Sequence, residues 1–145
     1  MYKLYARAGS GSAAVEALLA ELGAPFELID VPRNPDKSIP DWFREINPRG
    51  EVPALMLPDG STMTESAAMM IYLADCFPAK RLAPDFDHPA RAQYLRWMVY
   101  LAAGPYISDL RMFYPDRYSE DASHVAGIKA KAIVDLNRDF DVLAH

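Results

Sequence analysis

Two short apolar strands separated by a single amphipathic helix constrain this chain more than any other feature. Tyr2 to Ala6 is rich in strand formers. Ala8-Gly9-Ser10-Gly11-Ser12 interrupts it, and a helical period starts at Ala13, with Val15, Leu18, Leu19 and Leu22 at i, i+3, i+4 and i+7. Gly23 suits the stop of that helix, and Pro25 to Val31 reads as the second strand. Strands joined through a helix form a βαβ unit, so these two are expected to be parallel.

The rest of the first half extends this unit. Pro32 to Pro40 is a proline-rich loop. A short helix over 41–46 is expected to place Trp42, Phe43 and Ile46 on one side, and Asn47-Pro48-Arg49-Gly50 ends it, because the residue before proline is pushed out of helical geometry. Val52 to Leu57 is a third strand, Pro58-Asp59-Gly60 a turn, and Ser61 to Thr64 a fourth strand. A tight Asp-Gly turn makes the last two an antiparallel hairpin. Glu65-Ser66 opens a helix with Ala67, Met70, Ile71 and Ala74 at helical spacing, Ser66 serving as its N-cap. The order β-α-β-α-β-β-α over residues 1–82 is an α/β domain with a mixed four-stranded sheet, which matches the thioredoxin fold.

The second half reads as all-helical. Pro84 to Pro89 is a linker, and Pro89 is expected in the first turn of the next helix. Tyr94, Trp97, Met98 and Leu101 form that helix's apolar stripe, Gly104-Pro105 breaks it, and Pro115 breaks the chain again. A last helix from about Glu120 is expected to turn Val125, Ile128, Ala132, Leu136 and Phe140 inward. The domains are therefore 1–82 and 88–145.

Charge and cysteine usage narrow the partners. A net charge of -5 disfavours nucleic acid, whose binders need a basic face. The single cysteine, Cys76, cannot form an internal disulfide, which points to a reducing compartment. Cys76 itself is expected to be buried packing. The first residues show no signal-peptide pattern, and no apolar run approaches the ~20 residues that span a bilayer. A soluble cytoplasmic protein is expected. His88, His124 and His145 share no metal-ligand spacing, so no metal site is expected.

Three motifs carry a resemblance to a known family. Asn47-Pro48-Arg49-Gly50-Glu51-Val52-Pro53-Ala54-Leu55, Glu65-Ser66 with the helix after it, and the hydroxyl-bearing turn of Ser10 and Ser12 fall in order along the chain. Together they resemble the glutathione transferases, closely over 1–82 and loosely over 88–145. The resemblance implies that Pro53 is cis and that the backbone of Val52 pairs with the cysteinyl part of glutathione as an added strand would. It implies that Glu65 pairs with the ammonium of the γ-glutamyl end, while the Ser66 hydroxyl and free N–H groups hold its carboxylate. Lys37 and Arg49 are candidates for the glycine carboxylate. Tyr94, Trp97 and Tyr100 either line a pocket for the electrophile or pack in the core.

The chemistry is expected at the turn. A thiol normally titrates near ~8.5, and a helix N-terminus plus one hydrogen-bond donor lowers that toward neutrality. Ser10 stands at a typical donor position, Gly11 where other members of the family carry cysteine, and Ser12 is the other candidate. Without a cysteine in this turn, thioredoxin-type disulfide exchange has no nucleophile. The resemblance thus implies a detoxifying enzyme that binds reduced glutathione as co-substrate, stabilises its thiolate and adds it to an apolar electrophile. The alternatives are a glutathione-dependent isomerase and a non-catalytic binding or assembly module. It also implies a homodimer, and a helical domain longer than the one present. Either the chain is a fragment, the favoured reading, or a partner subunit covers the gap.

Overall fold

The computed structural model describes residues 1–36 and 38–145. They form two compact units, Met1–Arg91 and Ala92–His145.

In the first unit, β1 (Tyr2–Ala6), α1 (Ser12–Leu22), β2 (Phe26–Asp30), α2 (Asp41–Ile46), β3 (Ala54–Met56), β4 (Thr62–Met63) and α3 (Ser66–Cys76) follow the expected order. The sheet order is β2-β1-β3-β4. β1 and β2 are parallel, with Tyr2 opposite Phe26 and Ala6 opposite Asp30. β3 runs antiparallel to β1, with Ala54 opposite Tyr5, and β4 antiparallel to β3, with Met63 opposite Leu55. This is the thioredoxin-like arrangement.

Alternation along β1 feeds a core on each face of the sheet. On one face Leu4 and Leu55 pack with Val15 and Leu19 of α1 and Met69 and Leu73 of α3, all fully buried. On the other, Tyr5, Val31, Phe43 and Ala54 form a second core beneath α2. Each such large side chain contributes roughly 1.5–3 kcal/mol on burial. Gly23, at φ +65°, closes α1, and the N–H groups of Gly23 and Ala24 return to Ala20 and Leu19 carbonyls.

Several local expectations are corrected. Trp42 does not join Phe43 in the core: it is 44% exposed, its ring leaning on Tyr5 and Phe43 at 6.4 and 5.8 Å. Cys76 is exposed rather than buried: it is the last residue of α3, where burial along the helix gives out after Ala74. Burial, then the neighbouring Cys76 thiol, raises the phenol pKa of Tyr2. The helix after the linker starts at Arg91, not Pro89. His88 takes up the intervening turn: its carbonyl accepts from the Arg91 N–H, and its Nδ1 from the Ala90 N–H at 3.0 Å. The Arg91 guanidinium grips Asp75 with two 2.7 Å bonds and holds that carboxyl below its usual range.

The second unit contains α4 (Arg91–Ala103, its first residue in the first unit), α5 (Pro105–Phe113) and α6 (Val125–Leu143), with 3₁₀ turns at Pro115–Tyr118 and Ala122–His124. Gly104-Pro105 separates α4 from α5 as expected. The expected inward stripe of α6 holds at Val125, Ile128, Ala132 and Leu136, which are partly or fully buried, and fails at Phe140, which is 54% exposed. Asp135 and Asp139 are buried beside that stripe. Partners on α6 itself and on other helices offset the cost of burying these charges. Asp139 accepts from the Ser108 hydroxyl at 3.3 Å and the Tyr100 hydroxyl at 3.5 Å. Asp135 meets Lys131, Arg138 and Arg111, and the hydrogen bond from Lys131 is the main cause lowering its pKa.

Candidate glutathione-binding site

Strand register brings the three motifs to one end of the first unit. β1 ends at Ala6 and leads directly into the Arg7–Gly11 turn. Because Ala54 lies opposite Tyr5, the Val52-Pro53 step falls just past the end of that ladder, level with the turn. Because Met63 lies opposite Leu55, continuing the same register carries Glu65 to the level of Pro53. α1 and α3 both start at this end, so their N-termini add partial positive charge to it.

The serine turn is built by hydrogen bonds. Gly9 adopts φ +69°, a conformation that favours glycine. The Ser10 hydroxyl lies 2.8 Å from the Arg7 carbonyl and 2.8 Å from Ser12 Oγ. Ser12 Oγ accepts from the Arg7 N–H at 3.3 Å and lies 3.2 Å from the Arg7 carbonyl. The two candidates differ in access: Ser12 is 2% exposed and Ser10 only half-buried. Arg7 Nε also donates to the Val31 carbonyl at 2.9 Å, tying the ends of β1 and β2 together.

The Val52-Pro53 bond is cis. Among the described residues, the Val52 N–H and C=O make no backbone hydrogen bond, so both are available to a ligand strand. The loop leading to them is pinned by Asn47, 4% exposed, whose Nδ2 donates to the Glu51 carbonyl at 2.8 Å and whose Oδ1 accepts from the Arg49 N–H. Gly50 sits at φ +66° with Ile39 3.3 Å from where a Cβ would stand. The motif contains Asn47, but its pinning role depends on burial, which sequence alone does not show. Arg7 carried no motif at all.

Glu65, not Ser66, takes the N-cap position of α3. Its backbone is at φ 66°, ψ 101°, and Ser66 is the first helical residue. This corrects the assignment of Ser66 as cap. Glu65 is exposed and Ser66 half-buried, so both face solvent at the helix start, where N–H groups lack intrahelical partners. The Arg49 guanidinium pairs with Glu51 at 3.1 Å on the open surface. Lys37 lies outside the described residues. Tyr100 is engaged with Asp139, and Trp97 packs edge-on against it at 5.6 Å. Among the described residues no group of acidic, histidine and cysteine side chains is arranged to hold a metal ion, and no helix is long and apolar enough to cross a membrane.

The thioredoxin-like sheet, with a cis-proline loop at the end where α1 and α3 begin, defines the fold class of the first unit. Comparison with known proteins narrows it. The family model described as "Glutathione S-transferase, N-terminal domain" matches residues 12–76. Glutathione S-transferase GstA of Escherichia coli O157:H7 is 34% identical over 120 residues, covering 81% of this chain and 59% of that protein. A sphingomonad glutathione S-transferase solved in complex with glutathione superposes with a TM-score of 0.79 at 30% identity, covering 97% of this chain and 67% of that one. A glutathione transferase homologue from Sulfitobacter, solved with bound glutathione, gives a TM-score of 0.82 at 28% identity, covering 97% and 67%. The chain belongs to the glutathione S-transferase family. It spans about 59% of the length of the E. coli relative.

Proposed function

We propose that this protein is a glutathione transferase that binds reduced glutathione at the β1 end of the sheet and activates its thiol with Ser10. The observation that supports this reading is the half-buried Ser10 hydroxyl in the turn after β1, at the end of the sheet where the register also carries Val52 and Glu65. The Val52 N–H and C=O hold the cysteinyl residue as an added strand, with Pro53 fixing the turn. Glu65 pairs with the ammonium, and Ser66 with the first N–H groups of α3 takes the α-carboxylate. Lys37 and Arg49 are the cations for the glycine carboxylate, Arg49 leaving its exposed pair with Glu51 at little cost.

The thiol loses its proton to solvent, and Ser10 donates a hydrogen bond to the thiolate left behind. The sulfur lone pair then forms the new carbon–sulfur bond with an apolar electrophile, while the leaving group departs with its electron pair. The glutathione-binding part is assigned to residues 1–82 and the helical part to 88–145. By the same kinship the working protein is a homodimer with a detoxifying role in a reducing compartment. Bound glutathione in structural relatives supports the reading.

The test is conjugation of glutathione to an activated aryl halide, followed by absorbance. Ser10→Ala should lower kcat by ~10²–10³, the usual effect of removing one such donor. Full activity in that variant would refute the assignment of Ser10.

A further inference from the structure

The two serines are not interchangeable donors. Each hydroxyl carries one proton and two lone pairs. Ser10 Oγ, Ser12 Oγ and the Arg7 carbonyl form a triangle with sides of 2.8, 2.8 and 3.2 Å. Two protons cannot fill three sides. In one arrangement Ser10 donates to the Arg7 carbonyl and Ser12 donates to Ser10. In the other, Ser12 donates to the Arg7 carbonyl, and the Ser10 proton is free to leave the triangle. In both, Ser12 Oγ still accepts from the Arg7 N–H.

Access decides which proton reaches a ligand. Ser12 is 2% exposed and cannot touch a bound molecule, whereas Ser10 keeps open surface. We infer that Ser12 is a positioning residue: by taking over the Arg7 carbonyl it releases the Ser10 hydroxyl to donate outward to the glutathione sulfur. The inference rests on the glutathione reading above. No proton is transferred between the serines; two hydroxyl groups rotate. The Arg7 carbonyl exchanges its Ser10 hydroxyl donor at 2.8 Å for Ser12 at 3.2 Å, and the Ser12–Ser10 bond is given up, leaving Ser10 Oγ still accepting from the Ser12 N–H at 3.3 Å. Without the Ser12 hydroxyl, outward donation by Ser10 instead strips the part-buried Arg7 carbonyl of its serine hydroxyl donor, leaving it the Ser10 N–H at 3.3 Å.

The experiment is a pH titration of bound glutathione by its ultraviolet thiolate absorbance, with glutathione affinity measured by calorimetry at pH ~6, below the free thiol's usual ~8.5. Ser10→Ala should raise the bound thiol pKa by about one to two, the worth of a hydrogen bond to a charged group. Ser12→Ala should raise it by roughly half to one, the worth of a neutral hydrogen bond. Ser12→Thr, which keeps a hydroxyl, should restore the wild-type value, and the double alanine variant should match Ser10→Ala alone. Ser12→Gly serves if the alanine variant does not fold.

A wild-type thiol pKa in Ser12→Ala or Ser12→Gly with glutathione still bound would overturn this inference alone. So would simple addition of the two single-variant shifts. Absence of saturable glutathione binding by the folded wild type would instead overturn the glutathione reading, and this inference with it.

Discussion

Replacing Glu65 by glycine should leave a more stable fold than replacing it by alanine, and either change should destroy the ligand site. Glu65 holds φ 66°, ψ 101°, outside the comfortable region of any residue with a Cβ. Such a conformation costs of order 1–3 kcal/mol. Glycine relieves that strain but loses ~0.5–1 kcal/mol more backbone entropy on folding than alanine does. The fair comparison is therefore with Glu65→Ala, which removes the same carboxylate and its favourable interaction with the N-terminus of α3 but keeps the Cβ. Glycine should exceed alanine by about 0.5–2 kcal/mol, and at that position alanine is also the poorer cap. For a unit of this size each kcal/mol moves the melting midpoint by roughly 4–8 °C. Urea and thermal melts of the two variants measure the difference directly, and both should fail to bind glutathione. If the glycine variant proves no more stable than the alanine variant, the strain argument fails, and with it the view that this backbone is held for the ligand.

Two further outcomes follow from the same geometry. Asn47→Ala removes two hydrogen bonds from a buried side chain and should cost ~2–3 kcal/mol in a urea melt, with glutathione affinity falling as the Val52 loop loosens. The Arg91 hydrogen bonds hold the Asp75 pKa below its unfolded value, so their contribution is present above about pH 4 and is lost as pH falls through the folded pKa. With Asp75 45% exposed, that contribution should stay under about 1 kcal/mol, and urea midpoints of wild type and Asp75→Asn should converge toward pH 2–3.

The sheet was legible because its connections are local. A strand–helix–strand run and an Asp-Gly turn each specify direction within a few residues, and both pairings follow. The candidate site was legible for the same reason: its turn, its proline step and its Glu-Ser step are short motifs that the register carries to one end. The misreadings share a different cause. Helical spacing identifies a face but not where its neighbour stops. Cys76 continues the Met69–Leu73 face yet stands exposed at the last residue of α3. On α6 the apolar stripe lies inward as far as Leu136 but not at Phe140, and the adjacent Asp135 and Asp139 are buried as well. Lys131 and Arg138 lie within one turn of Asp135, but the other partners of the two carboxylates, Ser108, Arg111 and Tyr100, lie more than twenty residues away, beyond any periodicity argument. Ser66 missed the cap by one residue because Glu65 holds a left-handed backbone, which sequence preference assigns to glycine.

Whether this end of the sheet is a glutathione site is decided by calorimetric titration of the folded chain with reduced glutathione, with Glu65→Ala as the paired control. Such a site gives saturable one-to-one binding that collapses in the variant while its circular dichroism and melt remain those of a folded protein. Absence of binding by the folded wild-type chain, or equal binding by both proteins, would overturn the assignment.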